Sequence, residues 1–351
     1  MRLVNQTAVP AVLTTSDLDG SSRRVGVLTA KASFRFDHRG QVELETQEPL
    51  PLFAQDQRTA LGDLPGDLQP RADTAFEVIL LGHAYAPDER PVSGLTVRLT
   101  VGDVRRELLV FGDRTWAPNR KACSRPTPFT EMPLGYERAF GGTVPISLDR
   151  ESIFDLSDSC NKHGKGFDAE RKARELGGLL RAPSGYPKLP GGYVRPLPNL
   201  EDPAAPIARW EDAPRPMSWA TVPADVPIWA TRPISHAAPA ESHELPAAIG
   251  YRAHPDWVIP LPSAAPRLRL ENLLPSTPVL EMSVPDLKVV ADYTLGGRMG
   301  SRPLLPHTLV LLPDQARFTM VYRLPFNFQF ATGDDRELRL RVESKWFGGQ
   351  A

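Results

Sequence analysis

Cysteine is scarce in this sequence, with only Cys123 and Cys160 among 351 residues. Two thiols so placed make neither a disulfide framework nor a zinc site of the usual spacing. A surplus of one charge is also missing, because 41 basic and 42 acidic side chains leave a formal net charge of -1. A bulk nucleic-acid binder needs a basic surplus to neutralise phosphates, and we therefore expect no nucleic acid as a partner.

Long apolar runs are missing as well. No stretch of about 18 residues is apolar throughout, as a membrane-spanning helix would require. The first residues, MRLVNQTAVPAVL, lack the apolar run of a secretory signal. These two features predict a cytoplasmic protein that does not insert into membranes.

Motifs for catalysis and cofactor binding are equally hard to find. His243 and Glu244 open a zinc-protease pattern, but Ala247 stands where the second histidine is needed. Pro246 would also break the helix that must carry both ligands. There is neither a nucleophile elbow nor a phosphate-binding P-loop. Three histidines of this region match no metal-ligand spacing: His236, His243 and His254. We therefore expect no cofactor, no bound metal and no catalytic residue.

Proline is what the sequence has in abundance, at 37 of 351 residues. This is roughly twice the usual share of about 5 %. Each proline removes a backbone donor and breaks helices, so the composition disfavours long helices and favours extended loops. Hydrophobic residues make up 41 % of the chain, which is enough for a packed core and argues against a disordered chain.

Residues 1–145 show the period-2 alternation of β-strands and are predicted to form an N-terminal β domain. Between Leu28 and Phe36 the apolar residues occupy one face, and the other face carries Thr29, Lys31, Ser33 and Arg35. A half-buried strand is expected there, followed by a hairpin through the turn at 37–40. Residues 76–85 are apolar on both faces apart from Glu77 and His83, which predicts a strand buried on two sides.

Further alternation predicts the remaining sheet. Segments 95–101 and 105–111 flank the two-residue turn Gly102-Asp103. Residues 267–351 form a C-terminal β region that is a candidate to complete the N-terminal sheet. The expected fold is mainly β, with antiparallel sandwich or barrel-like sheets, long irregular proline-rich loops and one or two short helices.

The segment between the two β regions, 146–266, is predicted to be a short helix followed by irregular chain. Residues 168–180 show helical spacing, with a capping aspartate at the start and Pro183 beyond the end. Prolines then recur beside four tryptophans: Trp210, Trp219, Trp229 and Trp257. Exposed indoles would forfeit apolar burial, so we expect this segment to be ordered and laid over the β scaffold.

The stretch from Phe111 to Gly142 concentrates glycines, prolines, aromatics and charges and fits neither periodic template. It is predicted to be an ordered, irregular loop, the kind of segment that often carries function. Since adjacent charges do not face each other, pairing must run across the loop. Tryptophan and arginine are enriched at interface hot spots. The candidates for partner binding or for scaffolding the loop are Asp113, Arg114, Trp116, Glu131, Tyr136, Glu137, Arg138, Phe140, Trp210, Trp219 and Trp229.

Four motifs in chain order carry a resemblance to a known family. They are FEVILLGHAYAP at 76–87, FGDRTW with PFTEMPLGYERAFGG within 111–142, NKHGKGF at 161–167 and LPNLEDP at 197–203. Over roughly residues 1–345 the chain resembles the domain-of-unknown-function 2169 family, found in bacteria beside type VI secretion genes. The resemblance implies a non-catalytic adaptor or chaperone that binds PAAR-like toxin effectors and helps load them onto the secretion spike, with the VgrG spike protein as a further candidate partner.

Two alternatives stay open at this point. Glu131 and Glu137 could act as general acid and base of a carbohydrate-active or other hydrolytic enzyme on a β-sandwich, with aromatic faces stacking on sugars. The chain could also be a passive structural subunit of a larger assembly. The failed catalytic motifs favour the adaptor.

Overall fold

Strands make up 47 % of the computed structural model of the chain, and helix makes up 7 %. The structure describes residues 2–17, 23–68, 75–180, 186, 188–225, 251–295, 298–329 and 336–344. The mainly β fold is therefore confirmed, and none of the sheets formed by these residues closes into a barrel.

The first part of the chain carries fifteen of the strands that the structure describes. They are β1 Arg2–Asn5, β2 Ala11–Asp17, β3 Arg23–Phe36, β4 Val42–Leu44, β5 Gln57–Thr59, β6 Gly62–Leu64, β7 Ala75–Leu80, β8 His83–Tyr85, β9 Gly94–Val101, β10 Val104–Phe111, β11 Glu131–Pro133, β12 Phe140–Gly141, β13 Thr143–Ser147, β14 Ile153–Ser157 and β15 Lys165–Gly166.

A single α-helix within the described residues, α1 Ala169–Leu180, separates these strands from the rest. The strands after it are β16 Leu200–Glu201, β17 Val258–Pro260, β18 Arg267–Glu271, β19 Val279–Ser283, β20 Leu287–Leu295, β21 Arg298–Pro303, β22 Leu305–Leu312, β23 Arg317–Gln329 and β24 Glu337–Ser344. Short 3-10 turns cover Pro87–Glu89, Tyr136–Arg138, Pro255–Trp257 and Pro313–Gln315.

The largest sheet combines strands from both ends of the chain. Its order is β17-β7-β22-β23-β3-β2, and β4 pairs with the end of β3. Only its β7–β22 pair is parallel. The long strands β3 and β23 pair along their whole length, and Phe34 stacks on Phe318 at a ring-centroid distance of 4.9 Å. The predicted hairpin after Phe36 is confirmed by the pairing of Phe36 with Val42.

The polar face of β3 departs from the prediction. Alternation predicted a strand exposed on one side, but Thr29, Lys31 and Ser33 are at most 3 % exposed. The chain that follows β4, as far as Asp67, covers this face, because Lys31 Nζ donates to the Asp67 carboxylate at 2.9 Å and Leu50 N donates to Ser33 Oγ at 2.9 Å. A buried ion pair supplies the partner that a charged group needs away from water. Alternation alone could not anticipate this cover.

Two further sheets have four or five strands, and the remaining described strands form the pairs β5–β6, β8–β11, β12–β15 and β13–β14. One has the order β16-β10-β9-β18-β19, and its β9–β10 hairpin turns at Gly102 (φ +58°) as predicted. The other has the order β1-β24-β20-β21, with β1 parallel to β24. Buried residues of all three sheets, such as Phe34, Leu99 and Leu340, belong to one continuous apolar core.

A second, smaller core forms around the helix. The predicted helix at 168–180 is confirmed as α1, and Asp168 caps it by accepting a hydrogen bond from Arg171 N at 3.0 Å. Ala169 and Ala173 pack on Ile146 and Leu156 of the β13–β14 hairpin. No helix in the described part of the chain is long and apolar enough to cross a membrane.

The proline-rich segment is irregular over its described residues, 188–225 and 251–266, and carries few strands. Trp219 and Trp257 are fully buried and meet edge to face at 5.7 Å between ring centroids. Two of the predicted tryptophans are thus core residues. Trp229, His236 and His243 lie outside the described residues.

Candidate functional site

Three separate motifs of the sequence meet at one place in the fold. The irregular loop, the NKHGKGF turn and the LPNLEDP stretch come together through a set of polar side chains, here called the junction: Asp113, Arg138, Asn161, Lys165 and Asn199. Beyond the end of β10, the strands within the three motifs (β11, β12, β15 and β16) are only two or three residues long, so side chains must satisfy many of the backbone polar groups. The geometry of the junction explains how an irregular loop becomes ordered.

Asn161 holds the end of the irregular loop from the inside. Its side chain is fully buried, and Nδ2 donates to Tyr136 O at 2.8 Å and to Phe140 O at 3.0 Å. Its own carbonyl accepts from Gly142 N at 2.7 Å. One amide thereby satisfies two carbonyls of the loop and anchors a third point by its backbone.

Asn199 performs the same task from the opposite side and is also fully buried. Its Nδ2 donates to Phe111 O at 2.9 Å and to the Asp113 carboxylate at 3.1 Å. Its backbone N–H donates to Arg138 O at 2.8 Å, and its carbonyl accepts from Phe111 N at 2.8 Å. The start and the end of the irregular loop are therefore fixed to one residue.

Asp113 is the charged centre of the junction. Its Oδ1 accepts from Lys165 Nζ at 2.9 Å and lies 3.6 Å from Arg138 Nη1. The hydrogen bonds from Lys165 and Asn199 hold the pKa of the Asp113 carboxyl below its usual range. Pairing of Asp113 with Arg138 runs across the loop, as predicted from the sequence. The side chain of Asp113 is 65 % exposed, so this carboxylate faces solvent at the surface of the junction.

Arg114 points the other way, into the protein. It forms an ion pair with Glu201, and its guanidinium lies 3.9 Å from the ring centroid of Phe111. Burial raises the pKa of the Glu201 carboxyl, and the nearby arginine opposes that shift. The partner of Arg114 thus comes from the LPNLEDP stretch and lies outside the irregular loop.

Glycine is required where the loop and the NKHGKGF turn touch. Gly141 has φ +137°, and a side chain there would meet the backbone carbonyl of Asn161. Gly166, with φ +98°, packs against Phe140 and Pro198 in the same way. These two residues pair with each other in the parallel β12–β15 contact, and their positive φ and close neighbours favour glycine at both positions.

An aromatic cluster lies next to the junction. Trp116 is buried and meets Trp210 edge to face at 5.9 Å between ring centroids. Trp210 Nε1 donates to the capping carboxylate of Asp168 at 3.0 Å. The guanidiniums of Arg120 and Arg195 each lie 4.7 Å from the centroid of Trp210. Trp210 therefore ties the proline-rich segment to the helix.

The two glutamates predicted as an acid–base pair are exposed and lie at the edge of the loop. Both raise the pKa of His83, although a hydrogen bond from His83 to Asp314 has the larger effect. His83 Nδ1 lies 2.7 Å from Asp314 Oδ2, and Tyr85 OH donates to Asp314 Oδ1 at 3.0 Å. Glu131 and Glu137 thus belong to a surface acidic group around a histidine.

The predicted site residues divide between these environments. Asp113, Arg138 and Phe140 lie at the junction, and Tyr136 is buried under it. Trp219 is a core residue remote from any solvent-exposed face. Five residues that the structure brings into these clusters were not among the predicted candidates: Asn161, Asn199, Lys165, Glu201 and Asp314. Two asparagines inside motifs of irregular chain were the available signal, because such residues commonly satisfy loop backbone.

Among the described residues, no group of three or more histidine, cysteine or acidic side chains is placed to hold a metal ion. The fold and the junction define a β-rich protein whose motif residues brace a long ordered loop. One family profile, described as an uncharacterized protein conserved in bacteria (DUF2169), matches residues 21–323. No curated protein and no solved structure matches the chain. The match spans most of the sequence, and the chain belongs to this family.

Proposed function

We propose that the protein is a non-catalytic adaptor that binds PAAR-like toxin effectors in the bacterial cytoplasm and helps to load them onto the type VI secretion spike. The observation that carries the proposal is the junction. Its charged and amide groups bond to one another and to loop backbone, which fits a rigid docking surface better than a reactive centre.

The arrangement of charge supports contact with a protein. Asp113, Glu137 and the half-buried Arg138 present both signs of charge beside the loop. Charges of both signs around a contact surface select a protein partner with complementary charges and orient it. The hydrogen bonds of Asn161 and Asn199 already hold the loop in one conformation, which limits the conformational entropy that it would lose on binding. The family resemblance supplies the identity of the partners, a PAAR-like effector and the VgrG spike protein.

The experiment that tests the proposal is recovery of the tagged full-length protein from its native cells at physiological salt, followed by identification of the bound proteins. We expect a PAAR-like effector to be recovered with it, and the effector to become unstable when the adaptor gene is deleted. Recovery of the protein alone, together with an effector whose stability does not change, contradicts the proposal.

A pair of matched charge reversals locates the contact. Glu137 and Glu43 are both exposed, but only Glu137 lies beside the junction. Glu137→Arg is expected to reduce effector recovery at least about tenfold, the effect of roughly 1.4 kcal/mol of lost binding free energy. Glu43→Arg is expected to leave recovery unchanged. Equal recovery with both variants contradicts a docking surface at the junction.

The hydrolase remains a second candidate because Glu131 and Glu137 surround the same histidine. A screen of the wild-type protein against polysaccharides, with release of reducing sugar as the readout, tests it. A hydrolase requires that Glu137→Gln abolish any activity found. Equal activity in the wild type and in this variant removes the candidate.

A further inference from the structure

A half-open cavity of about 230 Å³ lies beside Tyr85, away from the junction. Two loops form it: the turn that follows β8 and the connection between β18 and β19. Its walls combine the apolar side chains of Pro87, Leu274 and Pro278 with acidic and hydroxyl groups of other residues. This volume is below the usual range of about 300–1,000 Å³ for small-molecule sites, so the cavity suits a single side chain better than a cofactor.

Hydrogen bonds fix the two loops to each other at both ends of the cavity. Tyr85 N donates to Asn272 O at 2.9 Å, and Ser276 Oγ donates to Glu89 Oε1 at 2.9 Å. Asn272 is held in turn because its Nδ2 donates to Thr96 O of β9 at 2.9 Å. The shape of the cavity is therefore set by the scaffold before any ligand arrives.

The backbone around the cavity is in an unusual conformation. Four lining residues have left-handed φ values: Asp88 (54°), Glu89 (55°), Asn272 (59°) and Ser276 (56°). They are four of the six non-glycine residues with positive φ among those that the structure describes. Left-handed backbone is disfavoured for residues with a side chain and tends to persist at binding sites and clamps.

The cavity is negatively charged. Asp88 and Glu89 both line it and are exposed, and within the described part of the chain neither forms an ion pair. The Tyr85 hydroxyl donates to Asp314, and Glu131 stands opposite Tyr85 in the β8–β11 pair. Asp314 is also the partner of His83, whose Nδ1 lies 2.7 Å from Asp314 Oδ2. Arg90 follows Glu89 in the chain without forming an ion pair with either carboxylate in the described structure.

We propose that this cavity binds an arginine side chain of a partner protein. The apolar walls suit the aliphatic stem of an arginine, and the carboxylates of Asp88 and Glu89 can accept hydrogen bonds from its guanidinium. The planar fork of the guanidinium matches two carboxylates better than the single ammonium of lysine does. This assignment goes beyond the adaptor role and holds whatever the partner is.

The first test uses the full-length protein and three short peptides that differ in one side chain. The central residue is arginine, its uncharged isostere citrulline, or lysine, and binding is followed by saturation-transfer NMR. The arginine peptide is expected to bind saturably in roughly the millimolar range, with an affinity that falls as salt rises. The citrulline peptide is expected to bind at least about tenfold more weakly, and the lysine peptide in between. Equal binding of arginine and citrulline peptides, or no saturable binding, overturns the proposal without any variant.

The second test asks whether the arginine peptide binds at this cavity. The double variant Asp88→Asn and Glu89→Gln removes both charges with little change in shape and is expected to weaken the arginine peptide at least about tenfold. The matched control is Glu43→Gln, an exposed glutamate far from these two loops in the sheet order, which is expected to leave binding unchanged. Undiminished binding by the double variant shows that the peptide binds elsewhere and overturns the proposal.

Discussion

Arg114 and Glu201 form an ion pair whose side chains are only 8 % and 2 % exposed. Arg114 also donates to Pro198 O and stacks on Phe111, and Glu201 Oε2 accepts from Ile207 N at 3.0 Å. A buried pair of this kind is a poor source of net stability, but each member is needed once the other is present. The pair therefore fixes the LPNLEDP stretch to the start of the irregular loop.

Removal of one member of this pair is expected to lower the free energy of unfolding more than removal of both members. Glu201→Leu leaves the Arg114 charge buried without a partner and is expected to lower the free energy of unfolding by about 3–5 kcal/mol. Adding Arg114→Met is expected to recover a part of that loss. Urea denaturation of the wild type, both single variants and the double variant measures the coupling. If the stability losses of the two single variants add up to that of the double variant within about 0.5 kcal/mol, the two side chains are not coupled and the prediction is contradicted.

An exposed ion pair provides the control for that cycle. Arg339 Nη2 lies 3.0 Å from Glu337 Oε1, and the two side chains are 57 % and 36 % exposed. Solvent screens such a pair, so Arg339→Gln is expected to change the free energy of unfolding by less than about 1 kcal/mol.

The buried amide of Asn161 is expected to be essential for order in the loop. Asn161→Ala leaves the Phe140 carbonyl without its side-chain donor, at about 1–3 kcal/mol, and removes one of two donors to the Tyr136 carbonyl, which still accepts from Ala139 N at 3.2 Å. We expect a loss of roughly 1–4 kcal/mol in the free energy of unfolding and faster hydrogen exchange at Gly142 N, which donates to the Asn161 backbone. Asn119→Ala, at an exposed turn, is the matched control. A loss no larger than that of the control contradicts this role.

Alanine substitutions at two glycines with positive φ distinguish the energetic cost of the backbone conformation from the cost of close packing. Gly141 (φ +137°) abuts the Asn161 carbonyl, whereas Gly192 (φ +76°) has open space around it. Gly192→Ala is expected to cost about 1–2 kcal/mol, from the left-handed backbone alone. Gly141→Ala adds overlap with the backbone and is expected to cost about 1–3 kcal/mol more. Thermal or urea unfolding measures both, and equal costs contradict the close approach of Gly141 to the Asn161 carbonyl.

Local sequence patterns predicted the strands and the helix of this fold better than they predicted which side chains are buried. Alternation placed β3 correctly, and the capping aspartate placed α1, because both signals act within a few residues. The polar face of β3 was wrongly expected in water, since the Asp67 that partners Lys31 lies 36 residues away. Burial depends on what folds over a strand, and the strand itself does not encode that.

The candidate site divides in the same way. The sequence marked the irregular loop by its glycines and aromatics, and Asp113 pairs across it with Arg138, a partner that the sequence did not specify. The partner of Arg114 was missed because Glu201 lies 87 residues further along the chain. The cavity beside Tyr85 was missed as well, since loops distant in the sequence build it and their left-handed residues are not glycines.

His83 is expected to titrate above the usual value of about 6.5 for a histidine. A hydrogen bond to Asp314 raises its pKa, burial opposes this, and Glu131 and Glu137 raise it further. Because the folded-state pKa is the higher one, protonated His83 stabilises the folded protein fully below about pH 6.5. That contribution is lost as the pH rises through the folded pKa. NMR titration of the His83 ring is expected to give a midpoint above about 6.5.

Three variants separate the causes of that shift. Asp314→Asn is expected to lower the pKa of His83 most, and Glu131→Gln by less, because the hydrogen bond that His83 donates to Asp314 has the largest effect. Asp103→Asn, at an exposed turn, is the control and is expected to leave the titration unchanged. The difference in unfolding free energy between wild type and His83→Gln is expected to shrink as the pH rises above about 6.5 and through the folded-state pKa of His83. A midpoint at or below about 6.5, or a difference that grows with pH, contradicts stabilisation of protonated His83 by the carboxylates around it.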